Sequence, residues 1–338
     1  MLARLAAAAL LLASAAGAQA ATVEEFYHGS TLRLISSAGP ASGYTLWAHF
    51  MAQFLPKHIP GNPQIIVQSM GGAGGLIAMN HMYNQASKDG REIGAVGREV
   101  SVLSLMGHEG AKYDALKFNW LGSPTSESNI CIARADSPIR TTDDLFKHEF
   151  LVGTDGVGSG MHIFPTALNS LLGMKFKPID GYADTGVVLL AVDRGEVYGS
   201  CQSAETLMQQ RGDAIRSGKI RVVLQAGLHP NPDFPDAPFV YDLAKTEEQR
   251  QALHFLYASL TFGRPYLAPP GVPAERVAAL RQAFSDTFKD PDFLKAAAQQ
   301  HYQIDPISGE EMDGMMHELA KTPKPIIEKI AKLIEPAK

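Results

Sequence analysis

The chain has 338 residues, 45% of them hydrophobic, and its 30 Lys and Arg against 35 Asp and Glu give a formal net charge of −5. This length and apolar content suit two domains with ordinary hydrophobic cores. The weakly acidic charge argues against nucleic acid or an anionic membrane surface as a partner, because both attract strongly basic chains. The same net charge is compatible with a small anionic ligand.

Residues 1–20 have the features of a signal peptide. Arg4 supplies a positive start, residues 5–16 are apolar but too few to span a bilayer, and Ala18-Gln19-Ala20 fits a small-residue cleavage site. We expect cleavage after Ala20, which removes one positive charge and leaves a net charge of −6 (−5 − 1). The residue directly after the cut is not a cysteine, so we expect a soluble protein outside the cytoplasm without a lipid anchor.

Residues 32–75 read as a strand, a small-residue loop, a helix, a second strand and a glycine loop. Ser42 offers the helix an N-cap, and Pro56 ends it. The short β-branched run at 65–67 predicts a buried strand of a parallel sheet. The helix presents one apolar face, formed by Trp47, Phe50, Met51, Phe54 and Leu55.

The two loops of this stretch are candidate anion sites. Both follow strands, so they are expected at the carboxyl edge of a sheet, where open α/β folds hold ligands. Both also open helices, whose free N–H groups and dipole attract anions. For a single glycine loop, an equally good alternative is that the glycines only form tight turns.

The next segment predicts a helix over 76–86, a strand over 92–96 and a short helix over 101–106. Arg98 is a positive side chain near the two loops. A surface salt bridge with Glu99 or another acid is favoured for it, because most exposed charges are solvated or loosely paired. Contact with a ligand remains open.

A second domain is predicted to begin after a polar hinge at residues 124–129, which separates strands at 120–123 and 130–133. The opening pattern then recurs twice. A glycine loop at 153–160 follows a strand and opens a helix, and another loop at 181–186 follows the strand at 176–179. We therefore expect two loop-bearing domains that close on a single ligand, and this duplicated pattern is more informative than either loop alone.

The remainder predicts a strand at 221–225 and then helices only. Pro273 begins one helix, Asp290-Pro291 breaks it, and Ser308 with Glu311 forms a capping box for the next. We expect this helical tail to pack on the first domain.

Cys131 and Cys201 are the two cysteines, and each lies in a segment that predicts a strand. If the strands are neighbours, a disulfide is the expected state in an oxidising compartment. The alternative is a pair of buried free thiols, because cysteine is common in cores.

Motifs for catalysis and metal binding are absent from the sequence. Gly156-Val157-Gly158 is followed by Met161 where a dinucleotide site needs its third glycine, and no serine lies in a G-x-S-x-G elbow. The histidines lack zinc-ligand spacing and no C-x-x-C occurs. We therefore expect no cofactor, no metal and no enzymatic activity, with a secreted enzyme acting on a small carboxylic acid as the alternative.

The order of motifs along the mature chain resembles the extracytoplasmic solute-binding proteins of tripartite tricarboxylate transporters, the Bug family. The motifs that carry the resemblance are the export signal, Gly43-Tyr44, Pro60-Gly61-Asn62-Pro63, Gly71-Gly72-Ala73-Gly74-Gly75, Asp89-Gly90, Gly158-Ser159-Gly160-Met161-His162, Gly181-Tyr182, Gly195-Glu196-Val197 and Ala268-Pro269-Pro270-Gly271-Val272-Pro273. Three departures affect the choice of ligand: Pro40-Ala41-Ser42 replaces the usual glycines, Thr45 replaces an aspartate, and Gln202-Ser203 stands at an acidic or amide position.

The resemblance implies a two-lobed α/β fold of the periplasmic-binding-protein type, each lobe a sheet flanked by helices, with a cleft that closes on a small carboxylate such as a di- or tricarboxylate. Lobe 1 is predicted to comprise residues 21–125 and 224–338, and lobe 2 residues 126–223. A periplasmic monomer that delivers its ligand to the membrane subunits of the transporter is implied. The implied ligand-binding residues are Ser37, Ala38, Ser42, Gly43, Tyr44, Gly72, Ala73, Gly74, Thr154, Gly158, Ser159, Gly160, His162, Tyr182 and Ser203, acting largely through backbone N–H groups.

Overall fold

The computed structural model describes residues 21–227 and 229–334, so the predicted signal peptide and its cleavage after Ala20 lie outside the described residues. Two sheets are present. The strands of the first are β1 (Thr31–Ser36), β2 (Gln64–Ser69), β3 (Glu92–Ala95), β4 (Asn119–Ser123), β10 (Tyr266–Ala268) and β11 (Ile307–Ser308). The strands of the second are β5 (Asn129–Arg134), β6 (Phe150–Gly153), β7 (Phe176–Ile179), β8 (Gly199–Ser203) and β9 (Ile220–Ala226).

Helices flank both sheets. In chain order they are α1 (Val23–Tyr27), α2 (Gly43–Phe54), α3 (Leu76–Asn84), α4 (Arg98–Val102), α5 (Asp144–Lys147), α6 (Gly160–Leu172), α7 (Thr185–Arg194), α8 (Ala204–Arg216), α9 (Glu247–Ala258), α10 (Ala274–Thr287), α11 (Pro291–Gln299), α12 (Gly309–Ala320) and α13 (Lys324–Ile334). The predicted caps are present: the Ser42 side chain accepts from the Tyr44 amide, and Ser308 with Glu311 forms a capping box. No helix in the described ranges has the length and apolar character needed to cross a membrane.

The first sheet has the order β11-β4-β10-β3-β1-β2 and is parallel only among β1, β2 and β3. Strand β2 forms its edge. The prediction of a buried strand at 65–67 is therefore wrong in one respect, since Ile66 is 55% exposed. Three β-branched residues indicate a strand but do not show whether a neighbour covers its outer side.

The second sheet has the order β7-β6-β8-β5-β9. Strands β5 and β8 are antiparallel, and their register places Cys131 opposite Cys201. Of the two alternatives for these cysteines, the structure has the bridge, with an S–S distance of 2.05 Å. The disulfide therefore joins two neighbouring interior strands of this sheet.

The tail differs from its prediction in two ways. It is not all helical, because β11 pairs with β4 and extends the first sheet. It also does not pack on the first domain alone, since α13 lies against α6 of the second sheet and against α9. The apolar face of α13 is readable from sequence, but the surface that covers it is not.

The predicted hinge connects β4 of the first sheet to β5 of the second. The chain returns to the first sheet after β9. The predicted lobe boundary between residues 223 and 224 lies inside this strand, which continues to Ala226. One hydrophobic cluster includes residues packed around both sheets, among them Met79, Phe150 and Leu256, while a second cluster is formed by first-sheet elements. The lobe boundaries stay a prediction.

Candidate ligand-binding site

The loops that follow β1, β2 and β3 meet the loops that follow β6, β7 and β8 around a cavity of about 50 Å³. This convergence follows from topology, because the carboxyl ends of parallel strands lie at one edge of each sheet. The lining residues are Ser37, Ala38, Ser42, Gly43, Tyr44, Gly74, Gly97, Arg98, Glu99, Asn129, Asp155, Ser159, Gly160, Met161, Thr185, Gln202, Ser203, Thr206 and Arg264.

The glycine loops of the two sheets touch one another beside this cavity. A Cβ built on Gly74, whose φ is +64°, would lie 2.2 Å from the amide nitrogen of Ser159. A Cβ on Gly158 would lie 2.6 Å from the Ala73 carbonyl oxygen. Both positions therefore require glycine for the two backbones to approach, in addition to any role in turn formation.

Two further contacts join the sheets near the cavity. The backbone N–H of Ala41 donates to the Asp184 carboxylate at 3.0 Å, and Trp47 Nε1 donates to Glu205 at 2.8 Å. Burial, followed by the nearby Glu127 charge, raises the pKa of Glu205 to about 7. The loop that begins α2 is thus held by side chains of the opposite sheet's elements.

The α2 N-terminus and Arg264 form a group of hydrogen-bond donors in the cavity lining. The first residues of α2 line the cavity, and a Cβ on Gly43 would lie 3.1 Å from both terminal guanidinium nitrogens of Arg264. The guanidinium donates to Ser203 at 3.1 Å and Thr206 at 2.9 Å and stacks 4.7 Å from the Tyr44 ring centroid. A helix N-terminus and an arginine together favour a carboxylate.

Both cavity arginines are paired with buried acids. Arg98 contacts Glu127 at 2.6 Å and Glu99 at 2.9 Å, and Arg264 forms an ion pair with the other oxygen of Glu127. Burial by itself lowers the pKa of Arg98, but the adjacent carboxylates outweigh it and hold the pKa above its usual range. Pairing of Arg98 with Glu99 was predicted correctly; the surface location was wrong, because hinge and second-sheet residues cover a side chain that is 3% exposed.

Acidic side chains also line the cavity. Glu99 lies against the first turn of α6, where a Cβ on Gly160 would be 2.5 Å from its Oε1. Asp155 lies nearby, and burial raises the pKa of Asp155 to about 6; Ser159 opposes the rise, while the charges of Glu99 and Asp184 add to it. The α6 N-terminus, predicted to receive a ligand carboxylate, therefore already has an acidic side chain beside it.

Nine of the predicted ligand-binding residues line the cavity. They are Ser37, Ala38, Ser42, Gly43, Tyr44, Gly74, Ser159, Gly160 and Ser203. Whether they contact a ligand stays a prediction. The structure brings together loops that are more than one hundred residues apart in sequence, as the duplicated pattern indicated.

Six predicted residues do not line the cavity: Gly72, Ala73, Thr154, Gly158, His162 and Tyr182. Ala73 and Gly158 form the contact between glycine loops, while Gly72 precedes it with a φ of +127°. Tyr182 packs beside Val192 and Val197. The prediction that these six bind the ligand is not tested by their positions.

His162 is buried and directs Nδ1 to Asp180 Oδ1 at 2.9 Å. Thr154 donates to the same oxygen and also accepts from the Gly156 amide. Although burial opposes it, the hydrogen bonds from His162 and then Thr154 lower the pKa of Asp180. These contacts give His162 and Thr154 a role in holding the loop before α6.

Ten cavity residues are absent from the predicted ligand-binding set: Gly97, Arg98, Glu99, Asn129, Asp155, Met161, Thr185, Gln202, Thr206 and Arg264. Arg264 had a readable signal, since it is a lone charge in the apolar run from 258 to 268. Glu99, Asp155, Gln202 and Thr206 had no such signal, because acids and small polar residues near helix starts are common. In the described parts of the chain, no group of three or more His, Cys, Asp or Glu is placed to hold a metal ion.

Comparison with known families decides the identity of the fold. The model described as "Tripartite tricarboxylate transporter family receptor" matches residues 51–332. The chain belongs to this receptor family. The family resemblance drawn from the sequence motifs is thereby confirmed. No curated protein sequence matches this receptor.

Solved structures show the same two-lobed fold. The periplasmic binding protein BugD has a TM-score of 0.72 at 19% identity over 90% of this receptor and 98% of BugD. MatC from Rhodopseudomonas palustris, with bound malate, has a TM-score of 0.68 at 18% identity over 90% and 99%. An R. palustris protein with adipate has a TM-score of 0.69 at 14% identity over 90% and 97%. At these identities the likeness shows the fold, and the predicted fold class is confirmed.

Proposed function

We propose that this receptor is a periplasmic monomer that captures a small carboxylate between two lobes and delivers it to the membrane subunits of a tripartite tricarboxylate transporter. Residues 1–20 would direct export and be removed after Ala20. Capture is reversible and involves no chemical conversion. Family membership supports the transport role, and two proteins of the same fold have been solved with the carboxylates malate and adipate.

The observation that carries this proposal is the group of donors formed by the α2 N-terminus and Arg264 in the cavity lining. Carboxylate oxygens placed there would accept hydrogen bonds from the first turn of α2 and from side chains at Ser42 and Arg264. Charge-assisted hydrogen bonds are worth roughly 1.5 to 3 kcal/mol each. A few of them, after the cost of association, support micromolar affinity, about 8 kcal/mol.

The loop contacts support a closing mechanism. The hinge at 124–129 and the return after β9 connect the sheets, and the Gly74–Gly158 contact joins loops of both sheets beside the cavity. We propose lobes of 21–125 plus 224–338 and 126–223, which separate to admit ligand. The structure is then the closed arrangement, in which the loops of both lobes surround the cavity.

A ligand screen tests the proposed function. Thermal-shift measurement of the mature chain with di- and tricarboxylates, monocarboxylates, aromatic acids and amino acids is expected to give a melting shift for a small carboxylate. Calorimetry then gives its affinity, and chromatography is expected to recover the ligand intact. Turnover of the ligand would contradict simple capture, and a complete absence of shifts across the carboxylates would contradict the function.

Gly74→Ala is expected to weaken binding of the carboxylate found by that screen by about tenfold to a hundredfold, because overpacking costs about 1 to 3 kcal/mol. The added Cβ meets the Ser159 backbone and opposes closure. Gly29→Ala is the matched control, since Gly29 has the same φ of +64° with nothing within 4 Å of its Cβ position. Equal affinities of the two variants by calorimetry would contradict the loop contact as part of closure.

A further inference from the structure

The chain makes a tight turn immediately before helix α2. The Ser42 N–H donates to the Gly39 carbonyl at 3.1 Å, which closes a β-turn with Pro40 at its second position. This closing bond leaves the N–H and carbonyl groups of Ala41 free to bond outside the turn. The turn contains Pro40-Ala41-Ser42, the segment that departs from the usual glycines of the family.

The side chain of Asp184, the N-cap of α7, bonds residues of both lobes. Its Oδ1 accepts from the Val187 N–H at 2.9 Å and caps α7, while its Oδ2 accepts from the Ala41 N–H of the opposite lobe at 3.0 Å. Gln210 of α8 donates to the Ala41 carbonyl at 3.3 Å. Because capping α7 uses only one oxygen of Asp184, the other oxygen can hold the lobes together.

The two backbones approach closely at this contact. Asp184 is 3% exposed, and a Cβ built on Gly39 would lie 2.5 Å from the Asp184 Cβ. A Cβ on Gly186 would lie 2.6 Å from the Ala41 Cβ. Glycine at these two positions therefore permits the contact. A hydrogen bond to an ionised carboxylate that is shielded from water is stronger than one between neutral exposed groups.

We propose that the hydrogen bond from Ala41 to Asp184 is a latch that holds the closed receptor, and that Asp184 is a positioning residue. Asp184 does not line the cavity, whereas Ser42, Gly43 and Tyr44, which follow Ala41 directly, do. The inference rests on the proposed function and adds what keeps the donors of α2 in place. Because the latch forms only after the lobes meet, it slows release of the carboxylate and has little effect on its capture.

Asp184→Asn separates the latch from the helix cap. The amide oxygen can still accept from the Val187 N–H, but the amide NH2 group then faces the Ala41 N–H, another donor. Calorimetry and stopped-flow kinetics use malate, succinate, adipate and citrate as probes. For the probe that binds most tightly, the dissociation constant is expected to rise about tenfold to a hundredfold, as for one hydrogen bond to a charged group. The increase is expected in the dissociation rate, with the association rate within about threefold.

Two further variants accompany this measurement. Gln210→Ala leaves Asp184 and its cap intact, and it is expected to raise the dissociation rate about two- to tenfold through loss of a neutral hydrogen bond. Asp114→Asn is the matched control. Asp114 also caps a helical turn, by accepting from the Leu116 N–H at 3.1 Å, and its ion-pair partner Lys117 lies in the same segment. This control is expected to leave both rates unchanged.

Melting curves check that each variant folds. A dissociation rate of Asp184→Asn within about threefold of that of the unmodified receptor overturns the latch, and so does a loss of affinity confined to the association rate. Both results leave the carboxylate receptor standing. If none of the four probes binds, small-angle X-ray scattering of the ligand-free proteins tests the latch instead. Asp184→Asn is then expected to have the larger radius of gyration, and equal radii overturn the latch. A receptor that binds no carboxylate in the ligand screen contradicts the proposed function separately.

Discussion

Glu127→Gln is expected to lower the free energy of unfolding by about 3 to 5 kcal/mol, the usual effect of breaking a buried ion pair from one side. Glu127 bonds Arg98 and Arg264 at once, and its side chain is 2% exposed. In the variant Arg98 keeps Glu99, but Arg264 loses the carboxylate with which it is paired. Glutamine has nearly the same shape as glutamate, so the decrease in the free energy of unfolding measures the effect of removing the charge.

Urea unfolding at neutral pH gives this free energy, and Glu149→Gln provides the comparison. Glu149 pairs with Lys177 at 3.1 Å, with both side chains more than half exposed. Exposed pairs contribute little, so this control is expected to change stability by less than about 1 kcal/mol. Similar decreases in the free energy of unfolding of the two variants would contradict the role of Glu127 as a buried electrostatic link between the hinge and the lobes.

Reduction of the Cys131–Cys201 bridge is expected to lower the free energy of unfolding by about 4 kcal/mol, because the bridge closes a loop with a sequence separation of 70. The bridge limits the freedom of the unfolded chain between β5 and β8. Urea unfolding with and without a reducing agent measures the difference.

A Cys131→Ser and Cys201→Ser double variant separates loss of the bridge from other effects of reductant. It is expected to have the stability of the reduced protein and to be unchanged by reducing agent. The bridge also lies two positions from Asn129 and Ser203, which hold Arg98 and Arg264. An oxidised protein that unfolds at the same urea concentration as the reduced one would contradict the prediction.

The local pattern of the sequence was enough to place most strands and helices around the cavity. Ser42 and Ser308 cap the predicted helices. The glycine loops after β2 and β6 also lie where the motif order put them. These features depend on neighbouring residues, whose periodicity and side-chain hydrogen bonds act over one or two turns of chain.

Features that depend on pairing between distant segments were not readable in this way. The exposed edge of β2, the covering of α13 by α6 and the addition of β11 to the first sheet all depend on which element lies alongside. A residue's periodicity shows that one face of its element is buried but does not name the partner that buries it.

The sequence by itself determined the receptor family, the two-lobed α/β class and the loops that surround the cavity, because glycines, caps and apolar periods encode local geometry. Only the tertiary structure decided that charged side chains share this site with backbone N–H groups. Glu127 and Arg264 are 137 residues apart (264 − 127), and their ion pair forms when the hinge meets the segment that precedes strand β10. Burial then makes each charge depend on its partners, because a charge removed from water is stabilised only by groups that the fold places beside it.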